Sequence, residues 1–324
     1  MAPDPVLAVE RLGVAIGPAR VVDGVSFELA AGEILALVGE SGCGKSMTAL
    51  AVMRLLPAVA RPVSGRVLLE GADLLLLSEA EMRRVRGARV SIVFQEPASS
   101  LDPLMTVGDQ LVEALRTHQP LRRAEARARA LAMLEAVGIA EPSHRLAQYP
   151  FELSGGMCQR VMIATALAGK PAVLLADEPT TALDVTIQAQ ILRLIKRLRA
   201  ETGTAVVLIT HDMGVVADMA DRVLVMYAGR IVEVAPVEAL FASPRHPYTW
   251  LLLRSLPRLD DDPKARLPVI DGTVPGAGAW PPGCRFAPRC PLATARCHET
   301  EPELAPIGDH RAVACWHSDR VGTV

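Results

Sequence analysis

The sequence predicts an α/β protein organised around a largely parallel sheet, and three observations carry that prediction. Short apolar runs with strand character alternate with segments of helical period. One run, Ile34–Val38, passes through a glycine-rich turn straight into a helix. A second, Val173–Ala176, ends in two adjacent carboxylates, Asp177 and Glu178. The 324 residues, half of them hydrophobic, suffice for one large domain plus an appendage.

Taken in order, Leu7–Ile16 and Val21–Leu29 alternate like strands of a small antiparallel sheet. Ile34–Val38 is a short buried strand, and a helix is expected from Lys45 to about Leu55, with Pro57 beyond its end. Gly65–Leu69 and Val90–Phe94 read as further strands. Residues 96–158 then change character. Thr106–Thr117 and Arg122–Val137 have helical spacing with no strand between them, so a helical insert is expected. Strand Ala172–Ala176 and helix Val185–Thr202 resume the core. Ile187, Ile191, Leu194, Ile195 and Leu198 recur on one face of that helix. Strands Ala205–Thr210 and Arg222–Tyr227 follow. Residues 257–324 hold 10 of the 25 prolines, which excludes a long helix or central strand. An irregular tail needing a staple or a partner surface is expected there.

The formal net charge of −2 argues against a sequence-independent grip on nucleic acid. Met1–Val6 has two prolines, an aspartate and no basic residue, unlike the start of a secretory signal. No uncharged stretch approaches the roughly 18 residues a spanning helix requires, so a membrane link would run through partner chains.

Gly39-Glu-Ser-Gly-Cys-Gly-Lys45-Ser46 matches G-x-x-x-x-G-K-[ST], the P-loop, and it stands between a predicted strand and a predicted helix. Such a loop turns its N–H groups inward around phosphate, and the helix start adds partial positive charge. Gly39, Ser41, Gly42, Cys43, Gly44, Lys45, Ser46 and Met47 are therefore the candidate ATP-binding residues. Lys45 is expected to reach the β- and γ-phosphates and Ser46 to hold Mg²⁺. Asp177 and Glu178 end a strand where open α/β sheets bind nucleotides. Asp177 is the expected second Mg²⁺ residue, and Glu178 is placed to take the proton of an attacking water. Cys43, beside Lys45 and a helix start, is expected to have a lowered pKa and to be shielded by ATP. Cys158 reads as a packing residue.

Leu153-Ser154-Gly155-Gly156-Met157 is a second glycine turn with a serine at a helix start. A capped helix start would explain Ser154 but not the rest. Together with the preceding motifs this run resembles the signature of ABC ATPases. The likeness implies an ABC nucleotide-binding domain: a P-loop NTPase with a RecA-like core, an antiparallel β-subdomain and a helical subdomain, over residues 1–245. It implies a head-to-tail dimer in which each signature contacts ATP held by the opposite P-loop. It also implies roles for Gln95 as a residue sensing the γ-phosphate and Mg²⁺, Asp184 in the D-loop, and His211 as a switch histidine at the γ-phosphate. Many members stack an aromatic on adenine; the matching position here is Ile16.

A narrower resemblance, to D-type subunits of dipeptide/oligopeptide importers, rests on Met157–Ala164, Asp177–Gln188, Met226-Tyr-Ala-Gly229, Pro244-Arg-His-Pro-Tyr248 and a cysteine tail. It implies a heterodimer with an F-type paralogue, two transmembrane permease subunits and, indirectly, an external substrate-binding protein. The location implied is peripheral, at the cytoplasmic face of the inner membrane. Nickel complexes, haem or glutathione are alternative cargoes, and a soluble ABC ATPase outside transport is a further alternative. In residues 246–324, Cys284, Cys290, Cys297 and Cys315 are separated by 5, 6 and 17 residues, without the short knuckle of common zinc sites. Four thiolates suit zinc or iron–sulfur equally; the family resemblance points to a 4Fe–4S cluster.

Overall fold

The computed structural model describes residues 4–181, 183–256 and 268–322. The chain forms two compact units. One takes the residues up to Leu7, Glu28–Glu33 and Leu68–Ile209. The other takes Ala8–Phe27, Ile34–Val67 and everything from Thr210 on.

In the first unit, strands Val90–Val93, Val173–Asp177 and Ala205–Ile209 pair in parallel, with Val90 opposite Val173 and Asp177 opposite Ile209. Every residue of the three is buried, as expected of largely apolar parallel strands covered on both faces. Residues 96–158 are helical with no strand among the described residues: Val107–His118 starts on Thr106, whose hydroxyl accepts the Asp109 N–H, and Arg123–Ala136 follows. Helix Val185–Thr202 buries Ile191, Leu192, Leu194 and Ile195, and Gly203 ends it in a left-handed turn. A short helix that periodicity did not reveal, Glu79–Val85, is started by a capping box of Ser78 and Glu81.

The second unit holds most of three strands, Ala19–Leu29, Leu7–Ile16 and Ala60–Leu69, which lie side by side in that order. The third strand begins five residues before the predicted Gly65. Ile34–Val38 runs parallel to Arg222–Tyr227. That strand turns back antiparallel through Ala228 and Gly229, both at positive φ (43° and 86°), into Arg230–Pro236. The paired positive φ values suit the twist of a two-residue hairpin. Arg230–Pro236 was missed in the sequence because Ala-Gly is a weak turn signal and Glu233 interrupts its apolar pattern. The helix after the P-loop runs Lys45–Met53, ending short of Leu55 on a left-handed Arg54.

The tail is better ordered than its proline content suggests. Arg311–Val313 pairs antiparallel with Arg230–Pro236, and Ala305–Gly308 pairs with Arg311–Val313 at the sheet edge. Phe286 is fully buried against Tyr227 (5.2 Å between ring centres, edge-on) and Tyr248 (5.5 Å). Burying one such ring contributes about 1.5–3 kcal/mol. Arg285 joins Asp23, and also Glu301 at 3.0 Å, while Trp280 lies flat on its guanidinium at 3.6 Å. The described tail thus anchors to its own chain, a correction to the expectation that only a staple or a partner could order it. The part of that expectation concerning residues 257–267 lies outside the described residues.

Candidate functional site

The second unit carries the P-loop. Gly39 (φ 150°) and Gly44 (φ 109°) are required by close approach as well as by φ: a Cβ on the first would stand 2.1 Å from the Met226 carbonyl, and on the second 2.8 Å from the Val21 carbonyl. The loop curls around Lys45, a buried side chain whose Nζ donates to the carbonyls of Gly39 (2.7 Å) and Glu40 (3.1 Å). Ser46 and Met47 sit half-buried in the first helical turn, and Ser41 and Gly42 face solvent. Cys43 departs from its expected character. Its side chain is fully buried, and burial pushes the thiol up, outweighing the opposing pull of Lys45. A nearby lysine lowers a thiol pKa on balance only where its pull exceeds the desolvation of the thiolate.

Two side chains from the C-terminal part of this unit hold Glu40. The Tyr248 hydroxyl accepts the Glu40 N–H at 2.8 Å. Arg289 donates to both carboxylate oxygens, at 2.7 and 3.0 Å. Neither residue was found by sequence reasoning. Tyr248 lay within the Pro244–Tyr248 run but without an assigned role; Arg289 carried no local signal. Behind them the buried Glu233 carboxylate accepts the N–H groups of Arg245 (2.7 Å) and His246 (2.9 Å), which fixes the start of helix Pro247–Arg254.

His211 is exposed at a strand-to-helix corner. Thr210 binds the Leu37 carbonyl at 3.4 Å, the Thr210 hydroxyl accepts the Asp212 N–H at 3.0 Å, and Asp212 caps helix Met213–Met219. Ile16, at the end of its strand, is 38% exposed and presents an aliphatic surface.

The first unit carries the carboxylates. Asp177 is buried at the end of its strand. Glu178 follows with φ 46°, a left-handed conformation that costs a non-glycine residue about 1–2 kcal/mol. Strain of this kind gathers at functional positions, where surrounding contacts enforce it. Here those contacts are the Glu178 N–H to the Ile209 carbonyl (2.9 Å), Gln95 Nε2 to Glu178 Oε2 (3.0 Å) and Thr181 Oγ1 to the same oxygen (2.8 Å). The structure therefore joins Gln95 to Glu178 and adds Thr181, whose part the sequence did not show. Asp184 accepts the N–H groups of Thr186 and Ile187, both at 3.0 Å, and so starts helix Val185–Thr202. Ala182, inside the run Asp177–Gln188, lies outside the described residues. In the signature run, Ser154 caps helix Gly155–Leu167 through the Met157 N–H at 3.4 Å. Ser154 and Gly155 are exposed, Leu153, Gly156 and Met157 half-buried, and a side chain on Gly155 would meet open space. That helix start is open to solvent. Cys158 is buried, its thiol donating to the Pro150 carbonyl at 3.4 Å, as a packing residue should be.

Cys284, Cys290, Cys297 and Cys315 line one small pocket of the second unit. Each sulfur has a hydrogen-bond partner: N–H groups of Phe286 and Ala287 for Cys284, of Leu292 for Cys290, of His317 (3.3 Å) for Cys315, and the Thr294 hydroxyl (3.5 Å) for Cys297. Among the described residues, no group of three or more His, Cys, Asp or Glu side chains is placed to hold a metal ion. His317 binds Thr294 Oγ1 at 3.0 Å, and His298 is exposed. No described helix is long and apolar enough to cross a membrane.

Comparison with known proteins places these features. The profile described as ABC transporter matches residues 22–181, and that described as the C-terminal region of oligopeptide/dipeptide transporters matches residues 232–297. The chain is 55% identical to a protein of Sinorhizobium fredii named a probable peptide ABC transporter ATP-binding protein, over 93% of this chain and 90% of the relative. It is 50% identical to the dipeptide transport ATP-binding protein DppD of Bacillus subtilis, over 97% and 95%. Among solved structures, the ATP-binding cassette MJ0796, a post-hydrolysis dimer bound to ADP and phosphate, is 29% identical with a TM-score of 0.64, over 71% of this chain and 98% of the cassette.

Proposed function

This chain belongs to the ABC transporter family, among the ATP-binding subunits of peptide importers, and from that premise we propose how its residues divide the work. The protein is an ABC ATPase that powers peptide import. In the proposed site, Lys45 and the P-loop amides bind the β- and γ-phosphates. Ser46, Asp177 and Gln95 are the residues to hold Mg²⁺, which when bound neutralises phosphate charge. A hydroxyl in the first turn of a helix and a carboxylate at a strand end are donors of the hard-oxygen type that ion takes. Glu178 accepts the proton of the attacking water, and Gln95 and Thr181 keep its carboxylate aimed. His211 and Lys45 stabilise charge on the γ-phosphoryl group. Ile16 offers adenine an aliphatic surface.

The observation that carries the composite-site reading is the exposed start of helix Gly155–Leu167: a capped, anion-receptive turn in a chain that already has a P-loop. It is proposed to serve ATP on a partner, with Asp184 at the dimer interface. The D-type reading makes that partner an F-type paralogue. The domain division proposed is an ABC domain over residues 1–245, its helical subdomain at about 96–158, and an extension over 246–324. The helical subdomain has a groove of about 540 Å³ lined by Leu104, Val112, Arg116 and Tyr149, among others. Leu104 is 85% exposed there. This supports docking of a cytoplasmic loop of the permease subunits. The location proposed is peripheral, at the cytoplasmic face of the inner membrane.

For the extension, the proposed ligand is a 4Fe–4S cluster on Cys284, Cys290, Cys297 and Cys315, with zinc the competing occupant. The donor chemistry fits: four sulfurs on one pocket, each with a hydrogen-bond partner, as sulfurs of such clusters commonly have. Its contribution would be a covalent tie across the tail. Iron and sulfide content after anaerobic purification tests this, and one zinc per chain with no iron would overturn it.

The experiment for the whole reading is gentle solubilisation of native membranes and recovery of the tagged chain. Two multispanning proteins and an F-type ATPase are expected with it. Recovery as a homodimer would overturn the F-type pairing, and recovery with no membrane protein would overturn the proposed assembly.

A further inference from the structure

The P-loop contains a carboxylate, Glu40, inside a loop whose task is to receive a polyphosphate. Its own carbonyl is one of the two that Lys45 Nζ touches, so the residue belongs to the wall of the cradle. A free anion there opposes an incoming phosphate. The structure does not leave it free. Arg289, 249 residues away in sequence, forks onto both oxygens, and its side chain is only 5% exposed.

The arginine is itself fully committed. Its Nε donates to the Asp271 carbonyl at 2.8 Å, one terminal nitrogen also to the Tyr227 hydroxyl at 3.3 Å, and the other also to the Ile270 carbonyl at 3.2 Å. All five N–H groups of the guanidinium have a target, the condition under which a planar fork is rigid. The Tyr248 hydroxyl meanwhile holds the Glu40 amide. Arg289 closes the short turn Ala287–Arg289 and immediately precedes Cys290, so its position is set by the fold of the cysteine segment.

We propose that Arg289 is a positioning residue for nucleotide binding: from the C-terminal extension it neutralises the Glu40 carboxylate and turns it away from the phosphate cradle, so that ATP affinity depends on the tail being docked. This rests on the reading of residues 39–46 as the phosphate site. No role in the chemical step is involved, because Arg289 acts through Glu40. The bidentate geometry matters as much as the charge, since a lysine cannot reproduce it.

The test uses the full chain and binding of a fluorescent ATP analogue, with ATPase rates on the same preparations. Wild type must bind and Lys45→Ala must not; failure there sinks the P-loop reading and is seen before any tail variant is made. With that control in place, Arg289→Gln is expected to weaken binding about tenfold, the scale of an unshielded like charge near an anion. KM should rise with kcat nearly constant, and the defect should shrink in high salt. Adding Glu40→Gln to Arg289→Gln removes the offending charge and is expected to recover at least about fivefold of the loss. Wild-type affinity in Arg289→Gln overturns the proposal, and so does an equal defect in the double variant, because the arginine would then act through tail packing alone. Should Arg289→Gln fail to fold, Glu40→Gln decides: with Arg289 left unpaired near the phosphates, binding should tighten about two- to fivefold, and weaker binding overturns the proposal.

Discussion

Glu178→Gln exchanges one carboxylate oxygen for an NH₂ group and leaves the side chain's length and shape intact. Gln95 Nε2 and Thr181 Oγ1 both point at the same oxygen, Oε2, at 3.0 and 2.8 Å. The amide oxygen of the variant can occupy that position and keep both bonds, with its NH₂ where Oε1 stood. The strained φ of 46° belongs to the backbone and is braced by the bond to the Ile209 carbonyl, so it should persist. What is lost is the ability to take a proton. Removing a general base lowers turnover by typically 10²–10⁴-fold. At about 1.36 kcal/mol per decade, that corresponds to roughly 2.7–5.5 kcal/mol of transition-state stabilisation. ATP affinity should hold, since Lys45 and Ser46 are untouched. The assay is single-turnover phosphate release alongside ATP binding on one preparation. Turnover within a factor of ten of wild type would refute the general-base role. Lost ATP binding would refute the argument that the Gln95–Thr181 brace survives the exchange.

Four further outcomes follow from the same structure. Phe286→Ala empties a fully buried ring site between Tyr227 and Tyr248 and should cost about 3–5 kcal/mol in chemical denaturation; a loss under 1 kcal/mol would mean that the tail is not docked in solution. At Asp23, burial works to raise the carboxyl, but the guanidiniums of Arg20, Arg285 and Arg230 overturn it and hold the group at about 2, below its ordinary 3.8. A depressed folded pKa contributes stability above the unfolded value that is lost as pH falls through the folded one, here about 2 kcal/mol between roughly pH 4 and 2. Acid titration of the unfolding midpoint should show this loss in wild type and much less of it in Asp23→Asn. Cys43, buried and shifted upward, should react slowly with an alkylating reagent whether or not ATP is present, scored by mass spectrometry of its peptide; rapid labelling that ATP suppresses would restore the original expectation of a reactive thiol. Ile16→Tyr should strengthen ATP binding by up to about 1–3 kcal/mol through stacking and widen the preference over GTP in competition, and an unchanged preference would remove Ile16 from the adenine site.

Much of this arrangement was legible because it is local. A strand, a glycine turn and a lysine at a helix start are contiguous from Ile34 to Ser46, and the structure returns them as a curled loop around Lys45. Ser154 stands at the helix start expected of it, and helix Val185–Thr202 begins where expected, with Asp184 as its N-cap. Cys43 failed on burial. Its sequence neighbours imply a lowered pKa, but the desolvation that reverses the shift depends on packing that neighbours do not encode. Thr181 was missed although it lies three residues from Glu178, because its contact depends on the left-handed turn at Glu178, a conformation sequence preference argues against.

The tail shows why its own part was illegible. Its composition is that of a loose extension, and the expectation of an external staple followed from counting prolines and core residues within it. The structure supplies the missing partners from elsewhere in the chain: Asp23 for Arg285, Tyr227 and Tyr248 for Phe286, Glu40 for Arg289, and strand Arg230–Pro236 for Arg311–Val313. Each of these partners was already explicable without the tail, as a strand, helix or P-loop residue, so nothing outside the tail signalled a vacancy. One of them gives the docking a functional consequence. Arg285 secures the tail by charge at Asp23, and Phe286 by burial against Tyr227 and Tyr248, the two tyrosines whose hydroxyls meet Arg289 and the Glu40 N–H. Arg289 differs from both, because its target is the one carboxylate in the phosphate loop. On the proposal above, that contact ties ATP affinity to the docking of the tail.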